Sequence, residues 1–194
     1  MLVLNSCTRD PLEISVRTHT TTVEWFRDAS TSNPKCFIDF YNGKAYTMAQ
    51  AAAMPDSVDI FISDRSEQIV SGQSLSLVNL IFFSNNNYPT YDSFRVDVGI
   101  LPLSVYNAST VSEVPITAAE FNTIATNTDI ENLFSSKALN GGYTDIEIAA
   151  VDLNSTSKYY QFYCEGVNKR GFFKIVSNSY NTGNSMTISI KVEK

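Results

Sequence analysis

Hydrophobic and polar positions alternate most cleanly near the end of the chain. There Met186, Ile188, Ile190 and Val192 alternate with Thr187, Ser189, Lys191 and Glu193. A period of two puts one set against a core and the other in water, which predicts a half-buried strand. Just upstream, Tyr159 to Cys164 and Phe172 to Val176 are aromatic and β-branched runs joined by a polar turn, Gly166 to Gly171. Three strands in succession predict an antiparallel meander.

The same reading extends over the rest of the chain. Strands are expected at Glu13 to Val16, at Thr20 to Phe26 and at Cys36 to Tyr41. The last turns through Asn42-Gly43, the preferred dipeptide of a type I′ hairpin, and returns over Lys44 to Tyr46. Thr47-Met-Ala-Gln50 matches a capping box, so a short helix begins there and Pro55 stops it. Val58, Ile60 and Ile62 then alternate with Asp59 and Phe61 in a further strand. Leu75 to Phe83 is apolar on both faces, which suggests a central strand. Phe94, Val96, Val98 and Ile100 alternate again, and Leu101 to Pro115 reads as an irregular or edge segment. Thr117-Ala-Ala-Glu120 is a second capping box, with Ile116 and Phe121 placed as a hydrophobic staple. Thr128-Asp-Ile-Glu131 caps another short helix, and Ile146, Ile148 and Ala150 form a strand expected to pair with Tyr159 to Cys164.

Composition adds limits. With 194 residues, 43% hydrophobic and 18% charged, the chain buries a core without needing disulfides or metal. The 12 Phe and 10 Tyr favour β-structure. A net charge of -6 with 14 unclustered Lys and Arg argues against nucleic acid, whose phosphates demand a basic footprint. No run approaches the roughly 18 apolar residues of a membrane span. His19 is the single histidine and the three cysteines include no CxxC pair, so zinc, Ser-His and Cys-His chemistry lack parts. No cofactor and no metal is expected. Cys36 and Cys164 both fall in expected strands, and two alternatives stay open for them: a disulfide in an oxidising compartment, or two buried thiols.

At the N-terminus, Leu4-Asn5-Ser6-Cys7 resembles a bacterial lipobox, in which the cysteine is lipidated and becomes the new N-terminus. Asn5 departs from the usual small residue. The apolar segment of four residues is also shorter than the about 7–15 of a signal peptide, which a start codon placed too far downstream would explain. Residues 1–12 then read as remnant signal, lipobox and tether, and 13–194 as one β-rich domain. Two longer stretches carry a wider resemblance. CFIDFYNGKAYTMAQAAAMPDSVDIFIS resembles an aromatic strand, hairpin, helix start and strand found in Bacteroidetes-type cell-surface lipoproteins of poorly known function. ITAAEFNTIATNTDIENLF and the closing YYQFYCEGVNKRGFFKIVS and MTISIKVEK resemble their mid-chain helix and C-terminal end. The resemblance covers roughly residues 36 to 193. It implies a lipid-anchored envelope protein, in the outer membrane and facing periplasm or surface, and carries over no catalytic or ligand residue.

Several residues invite a functional reading. Trp25, Tyr88, Tyr91 and Tyr180 are candidates for stacking on sugar rings or an apolar ligand, the three tyrosines lying in or beside expected loops. Core packing is the competing role for each. Asp56, Asp59, Asp64, Asp92 and Asp97 supply carboxylates but no calcium-loop pattern. Asp39 and Asp59 fall on adjacent expected strands; glycoside hydrolysis needs two carboxylates that face each other, which sequence spacing cannot show. Asn107-Ala-Ser109 and Asn154-Ser-Thr156 match the glycosylation sequon, which is frequent by chance. The expectation is an α+β, β-rich fold of mostly antiparallel, sandwich-like sheets with two or three short helices. Its expected function is non-catalytic binding of glycan or another nutrient, or of an envelope protein partner. The alternative is a structural or adhesion subunit acting through protein contacts, with a hydrolase third.

Overall fold

The computed structural model describes residues 14–25, 33–66, 78–83, 107, 109–137, 146–149, 158–179 and 184–194, with 63–66, 78–83 and 146–149 described by backbone alone. Among these residues the order is β1 (Arg17–Glu24), β2 (Phe37–Asp39), β3 (Lys44–Tyr46), α1 (Met48–Ala53), β4 (Ile60–Ser66), β5 (Val78–Phe83), β6 (Ser109–Val114), α2 (Ala118–Thr123), α3 (Asn127–Ser136), β7 (Ile146–Ala149), β8 (Tyr159–Cys164), β9 (Lys169–Asn178) and β10 (Ser185–Val192). Short 3₁₀ turns occupy Pro55–Ser57 and Glu165–Val167. The strands form two five-stranded antiparallel sheets, β1-β10-β9-β8-β6 and β3-β2-β4-β5-β7. This is the expected β-rich α+β fold with a sandwich-like arrangement.

The C-terminal meander forms as the alternation predicts. Along β10 every second residue is buried, so Met186, Ile188, Ile190 and Val192 all enter the core. They share one core with Ile38, Ile60 and Ile62 of the second sheet and with Tyr160 and Phe162 of β8. Phe40 closes this core from the β2–β3 turn, its ring stacked on Phe162 at 4.1 Å and on Phe173 at 5.2 Å. In β9, Ser177 faces Thr187 and Ile175 faces Ile188, which leaves Val176 as the extra residue of a bulge. Its 45% exposure follows from that.

The outer face of the first sheet carries a second, smaller core. Tyr159 and Phe172 point outward there and are covered by α2 and α3, through Phe121 on Tyr159 at 5.4 Å and Phe134 on Phe172 at 5.1 Å. Helices this short are marginal alone, so packing and caps hold them. Thr117 and Glu120 form the expected capping box, as do Thr47 and Gln50 on α1. Lys191 Nζ donates to the carbonyls of Asn122 and Ile124, satisfying acceptors that the end of α2 leaves open.

Four sequence expectations change. The cap of α3 is Thr126, not Thr128: Thr126 accepts from Asp129 N, and Asp129 Oδ2 accepts from the amides of Ala125 and Thr126. The same box two residues earlier wins because one carboxylate there collects two backbone donors. The Asn42-Gly43 turn is not type I′, since Gly43 alone has positive φ (62°) and the loop spans Phe40 to Gly43. Asp39 selects this wider loop by accepting from Asn42 N at 2.8 Å. β7 pairs with β5 rather than β8, so the chain crosses from one sheet to the other between them. Finally, Glu13 to Val16 does not form a strand in its described part; Ser15 makes a single bridge to Thr126. The strand expected at Phe94 to Ile100 lies outside the described residues.

Both sheets end beside each other. β1 runs alongside β3, and β6 alongside β7. Thr21 Oγ1 donates to Gly43 O at 2.6 Å, and Glu24 N to Lys35 O at 3.0 Å, so polar groups along β1 meet the second sheet's flank. Closing flanks this way occupies edges that would otherwise template another chain.

Candidate functional site

The densest polar chemistry among the described residues lies where β2 and β4 part. The ladder pairs Phe37 with Phe61 and Ile38 with Ile60, which brings Asp39 and Asp59 together at its mouth. Asp59 N donates to Ile38 O at 2.8 Å. The two side chains are 2% and 3% exposed.

Each carboxylate is wired to the protein itself. Asp39 accepts from Asn42 N and Asn42 Nδ2, both at 2.8 Å, and from the Tyr46 hydroxyl at 3.2 Å. Asp59 accepts from Phe40 N at 2.7 Å and from Ser109 Oγ of β6 at 3.2 Å, and the Cys164 thiol of β8 bonds to it as well. Asp59 therefore joins the two sheets. Burial pushes its carboxyl up to about 6, the Phe40 amide pulls it back, and the neighbouring Asp39 charge adds to the rise. Burial, then Asp39, also raises the Tyr46 hydroxyl. Burial, then the Asp59 charge, raises the Cys164 thiol well above the usual range.

Two carboxylates with separated roles are what glycoside hydrolysis needs. That chemistry also needs a substrate within hydrogen-bond reach. Here the donors around both acids are the protein's own amides, hydroxyls and the Cys164 thiol, and almost no surface meets solvent. The arrangement can hold a proton and fix a turn.

The other expected residues do not gather into one site. Trp25 is fully buried in the main core, so it does not present a ring for stacking; a tryptophan closing a two-residue alternation after Val23 is a core position. Tyr88, Tyr91 and Tyr180 lie outside the described residues, as do Cys7, Asp92, Asp97 and Asn154. Cys36 and Cys164 are buried free thiols, so no disulfide joins them. Cys36 O accepts from Ile62 N, whereas Cys164 sits against Asp59. Three residues of strand separate those levels, roughly 10 Å, beyond the span of a disulfide. Burial pushes Cys36 up to about 12, which leaves a thiol without nucleophilic character.

His19 sits over the β2–β3 turn, its Nε2 3.2 Å from Tyr41 O. Asp56 lies in the 3₁₀ turn before β4, and of Asp64 only the backbone is described. Asn107 is not a free acceptor amide: its Nδ2 donates to Asp56 O, its N donates to Val58 O, and its Oδ1 lies against Gly166. Sequence reasoning placed Asp39 beside Asp59 but missed Ser109, Cys164, Tyr46 and Asn42. Only the Asp39-x-x-Asn42 spacing, in which an aspartate accepts from the backbone amide three residues on, signals any of that wiring.

Among the described residues no three His, Cys, Asp or Glu converge as a metal site, and no described helix is long and apolar enough to cross a membrane. No family model matches the chain, and no curated protein or solved structure matches it either.

Proposed function

We propose that this chain is a non-catalytic binding or accessory module of the bacterial cell envelope, lipid-anchored through Cys7, that takes a glycan or another nutrient through residues on its loops. The observation that carries this reading is the base of the β9–β10 connection. Ser179 N donates to Ser185 O at 2.9 Å, Ser179 Oγ lies 2.9 Å from Ser185 Oγ, and Trp25 N donates to Asn184 O at 3.2 Å. The connection that carries Tyr180 is thus clasped at its root to three strands of a rigid sheet, a common way to position binding residues. The paired acids, by contrast, are sealed inside and satisfied by the protein.

The alternative, a structural subunit working through protein contacts, draws on an open strand edge or a continuous apolar patch. The flanks of the two sheets face each other. The large apolar residues that are exposed among the described ones, Ile14, Met54, Val167 and Val176, lie on four separate segments. Glycan-array binding by the chain from Thr8 onward tests the proposal, with Tyr88→Ala and Tyr180→Ala alongside. Binding to one sugar class, lost in either variant, supports it. Silence across the array sinks the glycan version and directs attention to pull-down from envelope extract.

A further inference from the structure

The acid pair has a consequence independent of ligand binding. Asp39 and Asp59 are adjacent, almost wholly removed from water, and paired with no lysine, arginine or histidine among the described residues. The titratable groups that face them are Tyr46 from β3 and Cys164 from β8, both neutral when protonated; β6 contributes only the Ser109 hydroxyl. Two negative charges side by side in such a place repel each other with little screening, so the pair retains a proton that isolated carboxylates would lose.

That proton sits at a mechanical joint. Asp59 holds the Phe40 amide, and the Phe40 ring is stacked in the main core on Phe162. On its other side the turn is gripped by β1, where the Arg17 guanidinium lies 4.1 Å from the Tyr41 ring, His19 reaches Tyr41 O, and Thr21 holds Gly43 O. His19 also fills the space that a side chain on Gly43 would need. The turn from Phe40 to Gly43 is therefore clamped between β1 and the acid pair.

We propose that Asp39 and Asp59 form a proton-operated latch: a proton held in the pair fastens the β2–β3 turn to β6 and β8, and its loss loosens that end of the sandwich and uncovers Cys164. In the closed state a protonated Asp59 donates to Ser109 Oγ, whose hydroxyl reverses to accept. When pH rises the proton leaves to water, both acids carry charge, and hydration of the charges competes with the protein's own donors.

Labelling of Cys164 by a dipyridyl disulfide tests the latch, in full-length protein carrying Cys7→Ser and Cys36→Ser so that one thiol remains. Rates are divided by those of the unfolded chain at each pH, which removes the thiolate's own pH dependence. Between about pH 5 and about pH 7.5 the normalised rate should rise about tenfold or more. Asp59→Asn, neutral at every pH, should remove that rise, and His19→Gln should keep it. A rise unchanged in Asp59→Asn, or abolished by His19→Gln, overturns the proposal. Should Asp59→Asn fail to fold, carboxyl-carbon NMR titration of the unsubstituted protein decides. One of the two acids titrating between about pH 5 and 7 supports the latch, and both titrating below about pH 4.5 overturn it.

Discussion

The first sheet is joined to the rest of the molecule in two ways that share almost no chemistry. On its outer face, Phe172 and Tyr159 meet Phe121, Ile130 and Phe134 of α2 and α3 in a dry aromatic contact. At one end of its inner face, Ser109 and Cys164 meet Asp59 in a buried polar contact. The dry joint draws on removed apolar area, which is large, non-directional and indifferent to protons. The polar joint gains little net energy, because each hydrogen bond replaces one to water. What it gains is direction: a fixed turn, a fixed register, and a group whose charge can change. A fold can thus keep its strength in one contact and its responsiveness in another.

The largest separation between the joints should come from Phe172→Ala. Phe172 is fully buried, and truncation should cost about 3–5 kcal/mol in denaturant unfolding. That loss should be the same at about pH 5 and about pH 7.5. A loss that varies with pH would mean the dry joint is coupled to the acids.

The polar joint should show the opposite behaviour. The Asp59 carboxyl, raised to about 6, sits above its ordinary value of 3.8, so its contribution is full below pH about 4 and is lost as pH rises through 6. The two-unit rise corresponds to at most roughly 3 kcal/mol. Asp129 and Glu120 run the other way. Backbone amides, from Ala125 and Thr117 respectively, hold both carboxyls below the usual range, so their contribution is lost as pH falls toward the lowered values. Stability measured by denaturant should therefore peak in the mildly acidic range, and Asp59→Asn should flatten the alkaline side only. A peak that stays put in Asp59→Asn would assign the alkaline loss elsewhere.

The dry joint was legible in the sequence, and the polar joint largely was not. The aromatic runs from Tyr159 and from Phe172, and the Thr117 capping box with its Ile116 and Phe121 staple, are local patterns, each set by residues within one or two turns of chain. The partner of β7 was missed because adjacency in sequence is only a prior, and here a sheet change overrides it. The wiring of Asp59 depends on Ser109 and Cys164, which are 50 and 105 positions away, and no local periodicity encodes such a meeting. What the sequence did offer was two aspartates on adjacent expected strands, with Asp59 at a position that the alternation of Val58, Ile60 and Ile62 assigns to the opposite face. Trp25 misled for another reason: a large aromatic fits a binding surface or a core equally well until the neighbours are known.

Gly43 offers a smaller and sharper test of the clamp. Its φ of 62° is left-handed, and an added Cβ would lie 2.2 Å from the His19 ring. Gly43→Ala alone should cost about 1–2 kcal/mol for the backbone conformation, plus whatever moving His19 requires. In His19→Gly both the ring and the His19 Cβ, which would lie 2.4 Å from the added Cβ, are gone, so adding Gly43→Ala there should cost only the backbone part. A double-mutant cycle read by denaturant unfolding would measure the difference as a coupling of order 0.5–3 kcal/mol. Additive losses would mean that His19 swings aside without resistance and that β1 does not hold the turn. Coupling would place the outer jaw of the clamp at His19, opposite the acids, and the Phe40 amide between them would then report, by hydrogen exchange, which jaw opens first.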